Sequence, residues 1–274
     1  MDLSIKLLKN VIKAVVISLV FISIASAQNK ILATNYLVQD IDTGEIIAEK
    51  NSLEIRSIAS ITKLMTAIVV LDANQDLDEI IKFKRDPGIK SKLPNGLAIS
   101  RRHLMLLTLM SSDNGAAKTL AKHYPGGEYY AIRAMNDKAL SLGMLSSNFT
   151  DPTGLYNDNT STATDLVKLV NHAFLYPDIR NFSTQYAEKI KIPGKKKSQY
   201  INFRTTNYLV STDSILLSKT GWITASGGCL VMIVQEHGKR LAIILLNSRN
   251  TKTRIRDGVL LTGYENVRNQ RNFR

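Results

Sequence analysis

A serine and a lysine three residues apart, in Ala59-Ser60-Ile61-Thr62-Lys63-Leu64, place a hydroxyl and an amine on one face of a helix. Such a pair is a nucleophile with its own base, because a neutral amine can take the hydroxyl proton as the oxygen attacks a carbonyl. Ile61, Leu64, Met65, Ile68 and Val69 recur at helical spacing, so the helix carrying the pair should run through a core and hold it rigidly. Taken alone, the same spelling describes a serine-capped helix with a solvated lysine. Two further groups, Ser112-Asp113-Asn114 and Lys219-Thr220-Gly221, carry a second hydroxyl, an amide and a second amine. Read singly, they are a polar helix break and a strand end.

The elements that must position these groups can be read along the chain. Ala33 to Asp40 and Glu45 to Glu49, joined by Asp42-Thr43-Gly44, spell a β-hairpin. The Ser60 helix should end between Asp72 and Asp76, followed by a short strand from Ile80 to Lys84 and a loop from Asp86 to Gly96. Ser100 caps a helix with an apolar stripe at Leu104, Leu107 and Met110, and Ser111 to Gly115 interrupts it. Helical character resumes from Ala116 to His123 and, after Pro125-Gly126-Gly127, from Tyr129 to Leu142. Asp151-Pro152-Thr153-Gly154-Leu155 reads as a tight turn, and Thr162-x-x-Asp165 as a capping box before Leu166, Leu169, Val170 and Ala173.

From Ile179 the pattern becomes strand-like and loop-rich, with strand character at Ile190 to Ile192, Tyr208 to Val210 and Ile215 to Ser218. Cys229 to Gln235 and Arg240 to Leu246 flank His237-Gly238-Lys239 as a second hairpin, and a basic amphipathic helix runs from Thr253 to about Val267. The expected class is α/β (α+β): an antiparallel sheet built from both ends of the chain, flanked by helices, with an inserted helical lobe. Residues 28–75 and 179–274 would form the sheet lobe and 76–178 most of the helical lobe, with a site in the cleft between them.

Lys6, Lys9 and Lys13 precede an apolar run from Ala14 to Ile24 that ends in Ala25-Ser26-Ala27. A basic region, a short apolar region and an A-x-A site describe a secretory signal peptide, residues 1–27, and imply an exported protein. Cys229 is the only cysteine, which rules out an intramolecular disulfide, and its setting reads as a small buried strand residue. His103, His123, His172 and His237 lack metal-ligand spacing, so neither a metal site nor a cofactor is expected. The formal charge of +13 suits a polyanionic neighbour. No helix-turn-helix, RNP-like or basic-zipper pattern accompanies it, which argues against nucleic acid and leaves cell-wall polymer or an anionic membrane surface. Lys195-Lys196-Lys197 beside Pro193-Gly194 reads as a solvated loop tip.

In their order along the chain, the three groups resemble those of the serine DD-peptidases, the penicillin-binding proteins of peptidase family S11, over almost the whole sequence beyond the leader. Leu109-Met110-Ser111-Ser112-Asp113-Asn114, His123-Tyr124-Pro125-Gly126-Gly127 and Asp151-Pro152-Thr153-Gly154-Leu155 look like the penicillin-binding protein 7 group of D-alanyl-D-alanine endopeptidases. Thr205 stands where that group usually begins an Asn-Thr-Asn segment. The resemblance implies a β-lactamase/DD-transpeptidase-like fold and acyl transfer through a serine ester. Ser60 would attack the carbonyl of the penultimate D-alanine, and Lys63, its pKa lowered by burial and by Lys219, would take the proton. Ser112, between the two lysines, would relay that proton to the leaving amine. Asn114 would bind the substrate amide, Lys219 and Thr220 its carboxylate or flanking polar groups, and Gly221 would let the strand approach closely. The backbone N–H groups of Ser60 and Trp222 would form the oxyanion hole. The Trp222 ring is either an aromatic wall at the mouth or a partly buried strand residue.

Implied partners are peptidoglycan stem peptides in the periplasm and β-lactam antibiotics as covalent inhibitors. A carboxypeptidase acting on terminal D-alanine is the nearest alternative. A β-lactamase fits less well, because the Glu-x-x-Leu-Asn pattern that serves fast deacylation is absent. A non-catalytic peptidoglycan-binding scaffold would leave the nucleophile and base unused.

Overall fold

The computed structural model describes residues 31–192, 199–236 and 238–262. The leader at residues 1–27, the lysine run at 195–197, His237 and residues 263–267 of the expected last helix lie outside the described residues.

The chain opens with the hairpin β1 (Asn35–Asp40) and β2 (Ile46–Lys50), followed by the two-residue β3 (Arg56–Ser57). A 3-10 turn, Ala59–Ile61, leads directly into helix α1 (Thr62–Asp72). Strands β4 (Ile80–Lys82) and β5 (Ala98–Ser100) pair with each other. Helices α2 (Arg101–Met110), α3 (Asn114–Lys122) and α4 (Glu128–Ser141) follow. Strand β6 (Thr160–Ser161) pairs with β3, and α5 (Ala163–Ala173) and α6 (Pro177–Thr184) complete the middle of the chain. Strands β7 (Ala187–Ile192) and β8 (Gln199–Arg204) form a separate hairpin, and Tyr208–Ser211 is a second 3-10 turn. The long strands β9 (Ile215–Ile223), β10 (Gly227–Glu236) and β11 (Lys239–Ser248) precede the final helix α7 (Thr251–Leu261).

The main sheet has the order β2-β1-β11-β10-β9, antiparallel throughout, so the first strands pair with the last. Cys229 to Val234 and Leu241 to Leu246 are buried without a break, as expected of strands covered on both faces. Their alternate residues serve two cores. Val231, Ile233, Ala242, Ile244 and Leu246 face the helical body with α1 and α5, while Leu230, Met232, Val234, Leu241, Ile243 and Leu245 pack toward Leu261 of α7. Thr62 to Val70 are all buried, and α1 contacts α2, α3, α4 and α5. A helix surrounded in this way has no freedom to tilt or roll, which fixes whatever its first turn carries.

Several elements match the sequence reading closely. Ser100 caps α2 by accepting from His103 N, and Thr162 caps α5 by accepting from Asp165 N. Three elements differ. The chain from Ile179, expected to be strand-like and loop-rich, begins instead inside α6 (Pro177–Thr184): Pro177 occupies the first turn, and Ile179 and Phe182 are buried three apart. Tyr208 to Val210, expected as strand, lie in a 3-10 helix, Tyr208–Ser211, capped by the Asn207 side chain. Strand β8 was not expected, because Gln199, Tyr200, Asn202 and Arg204 are polar or exposed and only Phe203 is fully buried.

Candidate active site

Ser60 sits in the 3-10 turn, so the Ser60–Lys63 spacing spans the junction of that turn with α1 and is not carried by a single α-helix. The turn is strained and clamped. Ala59 adopts φ +46° while fully buried, a conformation that non-glycine residues rarely hold without support. Thr62 Oγ1 donates to Ala59 O at 2.7 Å. From one side Gly154, at φ +74°, lies so close that a Cβ would fall 1.9 Å from Ala59 O. From the other side Gly221 of β9 leaves a Cβ only 3.0 Å from Ala59 Cβ, Ile58 O and Ser60 N. The sequence assigned Gly221 to close approach by substrate; the structure also uses it to bring the strand against the serine turn itself.

Lys63 is buried, and its Nζ donates to Ser60 Oγ at 2.8 Å, Asn114 Oδ1 at 2.7 Å and Thr153 O at 2.6 Å. Burial pulls its pKa down to about 7, against the opposing charges of Asp151 and Asp113. The expected contribution of Lys219 to this shift runs the other way: Lys219 is the residue pushed well below the usual lysine range, by burial first and then by Lys63 and Arg254. Ser60 Oγ also lies 3.3 Å from Thr153 O, so hydroxyl and amine share one backbone acceptor.

Ser112 and Asn114 stand at the break between α2 and α3. Ser112 takes φ +58°, and Asp113 then caps α3, its Oδ1 accepting from Ala116 N at 2.9 Å and its Oδ2 from Ser91 Oγ at 2.9 Å. Lys219 Nζ donates to Ser112 Oγ at 2.8 Å and to Thr220 O at 2.8 Å. Ser112 is therefore tied to one lysine only, since the hydrogen bonds of Lys63 go to Ser60, Asn114 and Thr153. Asn114 in turn holds Lys63 through its oxygen, which leaves its NH2 group to donate elsewhere. Thr220 Oγ1 donates to Thr206 Oγ1 at 2.6 Å, and Trp222 is half-exposed on the same strand.

Sequence reading missed three contributors. Thr153 acts through its carbonyl, for which no side-chain pattern exists. Thr206 joins Thr220 from the segment after β8. Arg254 of α7 is buried, donates to Gly221 O at 3.0 Å and has no carboxylate within ion-pair distance among the described residues. Basic residues recur along α7, so only burial separates Arg254 from its neighbours. The assembly holds an activated hydroxyl, a lysine that can change charge near neutrality, and a cationic wall beside them. That combination suits acyl transfer from a substrate bearing a carboxylate.

The sequence of residues 22–250 matches the S11 peptidases, the family described as D-alanyl-D-alanine carboxypeptidase. The chain belongs to this family. It is 40% identical over 239 residues to the D-alanyl-D-alanine endopeptidase of Escherichia coli strain K12, covering 85% of this chain and 76% of that protein. The S11 fold is shared with the Streptomyces K15 DD-transpeptidase, at TM-score 0.79 and 26% identity over 85% of this chain and 97% of the other. A penicillin-binding protein, D2 from Listeria monocytogenes in a cefotaxime-bound form, superimposes with TM-score 0.74 and 26% identity, over 85% and 97% of the two chains.

Proposed function

We propose that this S11 peptidase is a penicillin-binding D-alanyl-D-alanine endopeptidase that opens peptide cross-links in peptidoglycan. The observation that carries the reading is the fully buried Lys63 amine, 2.8 Å from Ser60 Oγ and shifted to about 7. Ser60 Oγ attacks the carbonyl carbon of the penultimate D-alanine, and its proton passes to neutral Lys63. The tetrahedral oxyanion lies against the backbone N–H groups of Ser60 and Trp222. The C–N bond then breaks as the proton held on Lys63 reaches the leaving amine through the Ser112 hydroxyl, which must turn from Lys219 to receive it, leaving Lys63 neutral and an ester on Ser60. Water attacks that ester and gives its proton to Lys63, the acyl C–O bond to Ser60 breaks, and Lys63 returns the proton to the serine oxygen as the acid product leaves. Asn114 donates to the substrate amide, while Lys219, Thr220 and the charge of Arg254 behind them hold the carboxylate next to the leaving amine. β-Lactams enter by the same attack and stay as the ester. The basic leader with its Ala25-Ser26-Ala27 site supports export to the periplasm, where the polymer lies.

A free carboxylate beside the leaving amine also exists at the end of an uncross-linked pentapeptide. The cationic wall therefore gives the carboxypeptidase reading its own support. Incubation with a cross-linked muropeptide dimer and, separately, with a monomeric pentapeptide distinguishes the two. The dimer should be converted to monomers by the wild type and left intact by Ser60→Ala. Release of D-alanine from the pentapeptide with the dimer intact would favour the carboxypeptidase.

A further inference from the structure

Lys63 and Ser60 converge on one acceptor, the Thr153 carbonyl, and a backbone carbonyl is aimed only by the turn that bears it. Asp151 builds that turn. Its Oδ1 accepts from Thr153 N at 2.6 Å, from Gly154 N at 2.9 Å and from Thr153 Oγ1. Its Oδ2 accepts from Asn159 Nδ2 at 3.1 Å. Asn159 is fully buried, and Nδ2 donates further to Asp151 O at 2.9 Å and to Thr62 Oγ1 at 3.1 Å. Asn159 Oδ1 accepts from Thr150 N at 2.6 Å, Thr150 Oγ1 at 3.0 Å and Asp151 N at 3.2 Å. Thr62 Oγ1 is the group that braces strained Ala59, and Ile58 N donates to Asn159 O at 3.0 Å. One asparagine thus joins the turn that presents the serine to the turn that presents the carbonyl.

We propose that Asn159 and Asp151 are positioning residues for the Ser60–Lys63 pair: Asn159 locks the two turns together, and the Asp151 carboxylate aims the Thr153 carbonyl that both groups share. The inference rests on Lys63 being the base. The charged groups facing Lys63 are Asp151 on this loop, Asp113 at the head of α3 and Lys219 on β9, with Arg254 of α7 behind Lys219. Asp151 is the leading charge that opposes the effect of burial on Lys63. Removing it should let the lysine lose its proton at still lower pH.

The test is the second-order rate of acylation by a fluorescent penicillin, measured on the full chain across the pH range around neutrality. Wild type should rise through a limb near pH 7, where Lys63 becomes neutral. In Asp151→Asn the limb should move to lower pH and the plateau fall by roughly 10²-fold, the scale of a reacting group misplaced by an ångström. In Asn159→Ser, which changes no charge, the plateau should fall similarly with the limb unmoved. Asp158→Asn, whose side chain is exposed one residue away, should behave as wild type. An Asp151→Asn chain with the wild-type plateau and limb overturns the proposal, and a fall in rate with an unmoved limb overturns the charge role. If Asp151→Asn does not fold, an unchanged plateau in Asn159→Ser overturns it instead. Failure of the wild type itself to be acylated would count against the proposed function, whatever the variants do.

Discussion

Lys63 is kept in an environment that opposes its own charge. Its pKa of about 7 lies below the unfolded value of 10.5, so between those pH values the folded chain binds fewer protons than the unfolded one. Stability from this group therefore rises with pH across that window; the burden is greatest below pH 7 and gone above about 10.5. Lys63→Met should abolish acylation and raise the Tm at pH 7, by about 2–4 °C for each kcal/mol regained. Melting curves taken at pH 7 and again near pH 10 should show the gain shrinking. A variant no more stable than wild type at pH 7 would mean that the three acceptors left behind, Ser60 Oγ, Asn114 Oδ1 and Thr153 O, compensate the charge fully. The same residue also marks what the sequence could reveal. Ser-x-x-Lys gave the pair and the apolar spacing around it gave the core helix, but the need for a carbonyl acceptor was invisible because every residue has one.

Among the elements, the serine turn depends on two neighbours that approach as glycines. Gly154 carries both a positive φ and a contact to Ala59 O too short for any side chain. Gly154→Ala should therefore destabilise the fold by about 3 kcal/mol, combining backbone strain with overpacking, and should abolish acylation in whatever fraction folds. Urea denaturation read by circular dichroism, together with penicillin labelling, checks both. Retention of full labelling would show that the turn can retreat without cost. Asp151-Pro152-Thr153-Gly154 was legible as a tight turn from its residue types, yet its partner across space was not, since the closest contact is to backbone more than ninety residues away. Helix α6 escaped the sequence reading for a related reason: its eight residues carry few apolar positions, and it is held by α2 and β9, including Ser183 Oγ accepting from Ser218 N at 3.3 Å.

At the scale of the molecule, the central strands of the sheet are buried on both faces, and Cys229 lies inside β10 with its thiol pushed up to about 11 by burial. The folded protein should not react with a disulfide reagent at pH 8, and labelling should track global unfolding in urea. Rapid modification under native conditions would mean that β10 opens locally. The overall architecture was legible from the two hairpins and the capped helices, because strand alternation and capping are local signals. The pairing of β1 with β11 was reached only as topology, since register between strands two hundred residues apart depends on packing.

That pairing also sets the order of events in folding. The serine turn is complete only when Gly221 and Lys219 arrive on β9, and β9 is placed by β10, which is placed by β11 against β1. Contacts this distant in sequence form late. A chain synthesised amino end first carries Ser60 and Lys63 early, yet without the burial that lowers the pKa of the lysine. Reactivity toward penicillin should appear only with the last step of folding, so that an unfinished chain carries an inert serine.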